Sequence, residues 1–157
     1  MKRLVLATLL ISLVPSVAIS APGEPGHSHE SFTAGEPGNP KRPSRVINVS
    51  MKEDDGKMLF IPDRIEVKKG EQIKFVLRNN GELKHEFMLA SKEENDKHAV
   101  LMQKYPEMEH DDPNGKSLET KKVIELVWKF TKAGEFEFAC LIPGHREAGM
   151  HGKVIVK

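Results

Sequence analysis

The sequence predicts an all-β sandwich, and three observations carry the prediction. Apolar residues recur at every second position through most of residues 44–157, Gly- and Asn-bearing turns punctuate those runs, and the composition suits a soluble core. Of the 157 residues, 38% are hydrophobic and 30% charged, and 24 Lys and Arg nearly balance 23 Asp and Glu. This size suits one domain. Near-zero net charge argues against a nucleic-acid binder that works through a basic surface. A single cysteine, Cys140, excludes an internal disulfide and a zinc site of the paired CxxC type.

Taken in order, residues 1–20 have the form of a signal peptide. Lys2 and Arg3 supply a positive start, Leu4 to Val14 an apolar run, and Ala18-Ile19-Ser20 a small-x-small pattern that predicts cleavage near Ser20 or Ala21. The apolar run is shorter than the ~20 residues of a membrane span and Pro15 interrupts it, so no stable membrane insertion is expected after cleavage. Losing Lys2 and Arg3 from the 24 basic residues leaves 22 against 23 acidic, a nearly neutral mature chain.

Residues 21–43 hold five of the ten prolines and four of the twelve glycines, with Gly-Glu-Pro-Gly at 23–26 and again at 35–38. Such a composition predicts a flexible linker. His27 and His29 within it have two readings, solvated linker residues or imidazole ligands for copper or zinc.

The single domain is expected over 44–157. Ile47, Val49 and Met51 alternate, as do Ile65 and Val67, then Ile73, Phe75 and Leu77. Ile124, Leu126, Trp128 and Phe130 share one face while Glu125 and Lys129 take the other. Phe136, Phe138 and Cys140 follow at the same period, and Val154 and Val156 close the pattern. Lys69-Gly70, Asn79-Asn80-Gly81 and Ala133-Gly134 supply turns between the runs.

One stretch breaks the strand period. Ser91 with Glu94 is a capping box, and His98, Leu101, Met102 and Tyr105 then fall at i, i+3, i+4 and i+7 before Pro106. A short inserted helix is expected, and these four residues are either its packing stripe or, for His98 and Met102, a pair of metal donors one turn apart. Met108 and His110 follow in a polar, acidic stretch with little core to pack into, and Asp111 to Gly115 reads as loop.

The chemistry concentrates in Cys140-Leu141-Ile142-Pro143-Gly144-His145-Arg146-Glu147-Ala148-Gly149-Met150, a C-x4-H-x4-M loop. Thiolate and thioether are soft donors and imidazole is intermediate, a mixture that suits copper cycling between Cu(I) and Cu(II). Pro143-Gly144 supplies the bend that brings Cys140 and His145 to one centre. A second imidazole is available from His85, which shares the inward face of Phe87 and Leu89 at period two. A buried structural thiol leaves the spacing of His145 and Met150 accidental. A Cys-His hydrolase wants a more exposed, electropositive thiol than a strand end flanked by Phe136 and Phe138.

With these residues, the chain from about residue 44 onward resembles the cupredoxins of the plastocyanin/azurin type. The resemblance rests on the C-x4-H-x4-M loop, on His85, and on the lead-in from Phe60 to Glu71. It implies a Greek-key β-sandwich with one type 1 copper at one end, held by His85, Cys140 and His145 with Met150 as the weak axial ligand. The sequence departs from the family's pattern at Glu86, where many members carry an Asn that bonds across to the cysteine loop. Multicopper enzymes of this fold need two or more such domains, so a single domain is expected not to be an enzyme.

Two functions follow from the resemblance. One is copper tolerance in the periplasm, with copper passed to or from a donor or acceptor protein; the chain resembles exported bacterial copper-resistance cupredoxins more than minimal electron carriers. The other is one-electron transfer between redox partners. The first is preferred because His98, Met102, Met108 and His110, with His27 and His29 on the linker, offer additional labile copper a place to bind. The protein is expected to act as a monomer.

Overall fold

The computed structural model describes residues 32–157. The signal peptide over 1–20 and the linker histidines His27 and His29 lie outside the described residues. In chain order the strands are β1 (Glu36–Pro37), β2 (Arg45–Asp54), β3 (Lys57–Ile61), β4 (Arg64–Val67), β5 (Gln72–Asn79) and β6 (His85–Ala90). Helix α1 (Lys92–Lys104) follows, then β7 (Gly115–Leu118), β8 (Val123–Lys129), β9 (Gly134–Ala139) and β10 (His151–Val156). They build two five-stranded sheets, ordered β1-β8-β5-β2-β3 and β4-β10-β9-β6-β7. Pairing is antiparallel except for β2 with β5 and β4 with β10. The chain crosses between sheets at β3–β4, β4–β5, β5–β6, β7–β8 and β8–β9, so the Greek-key sandwich expected from the sequence is the fold.

The alternating residues do what their period demands. Val49, Met51, Ile73, Phe75, Leu77, Leu126, Trp128, Phe136, Phe138, Val154 and Val156 point into one core between the sheets. Phe87 and Phe138 stack at 5.2 Å, and Phe60 meets both edge-on at 5.9 and 5.2 Å. Each such pair contributes about 0.5–1.5 kcal/mol beyond its buried area. This aromatic block carries the strand ends from which the candidate ligands project. Asp55-Gly56, both at positive φ, turn β2 into β3 as a two-residue hairpin, with Asp54 opposite Lys57.

Strand β6 is buried along its whole length because both of its faces are covered. Phe87 and Leu89 belong to the inter-sheet core. Met88 belongs to a second cluster with Met102, Ala139 and Leu141, formed where α1 lies over β6 and β9. The helix begins as the sequence predicts: Ser91 caps it, with its side chain accepting from the Glu94 amide and the Glu94 side chain returning to the Ser91 amide.

Its buried stripe differs from the one expected. Leu101 and Tyr105 are 45% and 61% exposed, whereas Asn95 and Met102 are fully buried and Ala99 packs against the second cluster. A polar residue takes the inward position because the Asn95 side-chain amide donates to Glu137 at 3.0 Å. Met108 also departs from expectation, since it is half-buried against that apolar cluster.

The linker boundary expected at 43 is corrected as well. Residues 32–43 lie on the sandwich: β1 pairs with β8, Ala34 is fully buried, and Phe32 meets Trp128 edge-on at 5.3 Å. The Trp128 indole N–H donates to the Ala34 carbonyl at 3.1 Å, and Gln72 bonds to Asn39, Arg42 and Ser44. The Pro and Gly content of this stretch shapes a bound strap. Among the described residues, no helix is long and apolar enough to cross a membrane.

Candidate metal centre

Four residues from two places in the chain meet at one end of the core. His85 opens β6, Cys140 follows β9, and the loop between β9 and β10 brings His145 and Met150. The Nδ1 atoms of His85 and His145 are 3.3 Å apart, and His145 Nδ1 is 3.3 Å from Cys140 Sγ. All three donor atoms lie within 4.8 Å of one another. Met150 is fully buried in the same core cluster as Cys140.

The loop is held in shape by its own amides. His145 N–H donates to Ile142, Met150 N–H to His145 and Cys140 N–H to Met150, each at 3.0 Å. Gly144, at φ +90°, makes the bend that the Pro143-Gly144 pair predicts. Arg146 clamps the loop from outside, with a two-pronged bond to Glu137 at 2.7 and 2.9 Å and a third to Asp96 at 2.7 Å.

Glu53 orients the first histidine. Its carboxylate oxygen lies 2.7 Å from His85 Nε2, so that nitrogen carries the proton and Nδ1 presents its lone pair toward Cys140 and His145. The same carboxylate accepts the amides of Glu82 and Leu83 at 2.9 and 3.2 Å. Partial burial pushes the Glu53 carboxyl up, but these donors and the His85 ring outweigh it and the balance is downward.

Burial holds the centre neutral. It pushes the His85 ring below the ordinary histidine range, against the pull of Glu53, and lowers His145 likewise with help from His85. Burial also pushes the Cys140 thiol up to about 12, although the amides of Glu86 and Ile142 point at its sulfur and favour the thiolate. Two neutral imidazole nitrogens and a buried thiol with N–H donors directed at it form a soft-to-intermediate donor set, which fits copper.

Glu86 lies on the other face of β6. It is 1% exposed, Ser117 Oγ stands 3.3 Å from its Oε1, and its backbone amide reaches Cys140 Sγ at 3.3 Å. The amide of Glu86 thus makes the contact to the cysteine. Its side chain turns toward the layer under α1.

That layer gathers three of the remaining sequence candidates. His98 Nε2 is 3.1 Å from His110 Nε2, which is 3.4 Å from Met102 Sδ. Met108 lies in the adjoining apolar cluster. Sequence reasoning missed Glu53, which stands far from every ligand in the chain, and Arg146, which follows His145 directly but acts through the distant Asp96 and Glu137.

The family of copper binding proteins described as plastocyanin/azurin matches residues 47–157. The chain is 39% identical to the copper-resistant cuproprotein CopI of Rubrivivax gelatinosus over the full length of both. It is 37% identical to the copper-resistant cuproprotein CopI of Pseudomonas aeruginosa, over 99% of this chain and 98% of that one. Among solved structures, auracyanin B superposes with a TM-score of 0.62 at 16% identity, covering 82% of this chain and 99% of that one.

Proposed function

The chain belongs to the plastocyanin/azurin family of copper-binding proteins, and on that premise we propose that it is an exported, periplasmic copper-handling protein that serves copper tolerance through one type 1 centre. Its ligands in this reading are His85, Cys140 and His145, with Met150 as the weak axial donor. The reading is carried by the meeting of two imidazole Nδ1 atoms and a thiol within 4.8 Å. Likeness to copper-resistant cuproproteins along the whole chain supports it.

Copper bound here supplies a one-electron couple. The chain's own residues prepare the place for it. Glu53 keeps the His85 proton on Nε2, the amides of Glu86 and Ile142 stabilise negative charge on Cys140 Sγ, and the aromatic block keeps water out. The clamp from Arg146 to Glu137 fixes the loop that carries the donors.

A second reading, one-electron transfer, is favoured by one observation. The half-buried His145 ring borders a shallow groove lined by Leu83, Pro106, Met108 and Ile142, where a redox partner could dock.

The test has an optical arm and a cellular arm. Cu(II) added to the purified protein should give an intense visible sulfur-to-copper band that Cys140→Ser abolishes, while Met150→Leu keeps copper and shifts the potential. Absence of the band overturns the type 1 assignment. A deletion strain should become copper-sensitive and recover with the native gene but not with Cys140→Ser. Unchanged tolerance, with fast electron exchange between the reduced protein and a haem or copper partner, would replace copper handling by the carrier reading.

A further inference from the structure

We propose that the end of the sandwich remote from Cys140 docks on anionic lipid and holds the protein against a membrane with its copper-ligand end outward. Strand β9 starts at that end with Gly134 and stops one residue short of Cys140. Gly134 pairs with Val156, the Lys69 amide donates to the Lys157 carbonyl at 2.7 Å, and the Gly70 amide donates to Phe130 at 2.6 Å. The Gln72 side chain brings in the strap by donating to the Arg42 carbonyl at 3.3 Å. Two turns, the end of β10 and the strap therefore share one face. Its side-chain carboxylates are all matched, Glu36 by Lys129, Glu66 by Lys157, Glu71 by Arg45 and Glu135 by Lys153, at 2.6–2.9 Å. Lys41, Arg42, Lys68, Lys69 and Lys132 are left over, all exposed and none in an ion pair among the described residues.

The near-neutral total of 24 basic against 23 acidic side chains hides this polarity. The balancing charge lies at the other end, where residues 105–112 carry Glu107, Glu109, Asp111 and Asp112 and no Lys or Arg. Glu107 and Met108 of this stretch line the groove beside His145. Strand β5 runs the eight residues from the turn at Lys69 to the loop before His85, so the two ends stand roughly 24 Å apart. That is about three Debye lengths of ~8 Å at physiological salt. Each end therefore meets its surroundings almost as a separate charge. A negative surface attracts the cationic end, repels the acidic one, and leaves the half-buried His145 ring facing water.

The chemistry of this end favours lipid over a protein partner. A protein interface is anchored by aromatic and arginine side chains seated in pockets. Among the described residues the exposed aromatic side chain is Tyr105, the C-cap of α1, on the copper side of the molecule. Four of the five spare cations are lysines, point charges on flexible stems spread over separate turns. Lipid headgroups are mobile, so they can gather under such charges without a fixed geometry, and a cluster of about four to eight is the size that recognises an anionic leaflet. With no apolar wedge among these five residues, the attachment is peripheral and salt-sensitive.

The test is cosedimentation of the copper-loaded protein, residues 21–157, with phosphatidylcholine vesicles that contain or lack phosphatidylglycerol. Binding is expected only with the anionic lipid and should disappear at high salt. Lys68→Gln/Lys69→Gln/Lys132→Gln should weaken it roughly 100-fold with native circular dichroism, and Lys41→Gln/Arg42→Gln, on the separate strap, roughly 25-fold. Lys57→Gln/Lys104→Gln/Lys122→Gln removes the same charge from the copper side and should bind as the native protein does. Cys140→Ser should also bind normally, since the surface uses none of the copper ligands and stands or falls apart from the type 1 reading. No binding at low salt, or equal loss in both triple variants, overturns the proposal. Retention on poly-glutamate without binding to the vesicles would replace lipid by an acidic protein segment.

Discussion

His85 Nε2 and Glu53 Oε1 lie 2.7 Å apart, joining residues 32 positions distant in the chain. The same carboxylate ties down the amides of Glu82 and Leu83, so one side chain fixes both the ring and the loop leading into it. Glu53→Ala should weaken copper binding by roughly 10–100-fold and cost about 1–3 kcal/mol in stability. Glu53→Gln, which keeps an acceptor, should fall between. Competition with a Cu(II) chelator and urea unfolding of the metal-free protein measure the two effects. An unchanged affinity in Glu53→Ala would mean that the core alone orients His85.

Copper binding should expel one proton from Cys140. With the thiol pushed up to about 12, it stays protonated through pH 9.5, and the metal must displace that proton. Calorimetry in buffers of different ionisation enthalpy should give close to one proton per copper from pH 7.5 to 9.5. A thiol at the ordinary ~8.5 would release about a tenth of a proton at the upper limit. The sign for stability follows from linkage. Folding protects the protonated thiol, so its contribution is fully present below the unfolded value and is lost as pH rises from there toward 12. Metal-free protein should therefore show a lower urea midpoint at pH 10 than at pH 8, a difference that Cys140→Ser reduces.

Trp128→Phe should loosen the strap over residues 32–43. The substitution leaves the Ala34 carbonyl without its indole donor, at a cost of about 1–3 kcal/mol. Amide exchange should accelerate at residues 34–38 well before it does in β8 or β5. Equal protection in native and variant protein would show that the β1–β8 pairing and the Gln72 bonds hold the strap alone.

Period two placed His85 on the core face, and the C-x4-H-x4-M spacing brought Cys140 and His145 into one loop, because both are local properties of a strand and a turn. Glu53 was illegible because it reaches His85 only through the packing of one sheet on the other. Strand β3 had a readable signal in Asp55-Gly56. Strand β7, Gly115-Lys116-Ser117-Leu118, has no alternating pattern and exists because β6 pairs with it. The helix stripe favoured Leu101 and Tyr105 since hydrophobicity cannot foresee that Glu137 will accept a bond from a buried Asn95. Averaged composition over 21–43 likewise concealed Phe32 and Ala34, the residues that anchor its described part, 32–43.

The parallel pairing of β4 with β10 joins residues 64–67 to 153–156, so most of the sandwich lies inside the loop that this pairing closes. Contacts of such long range form slowly, because the chain must be ordered before they reward it. Strand β4 has β10 as its sole neighbour in the sheet, and the bond from the Cys140 amide to Met150 sits at the root of β10. The donor loop therefore takes its shape late, as β10 docks. Until then the lone thiol lacks the burial that shields it in the folded chain.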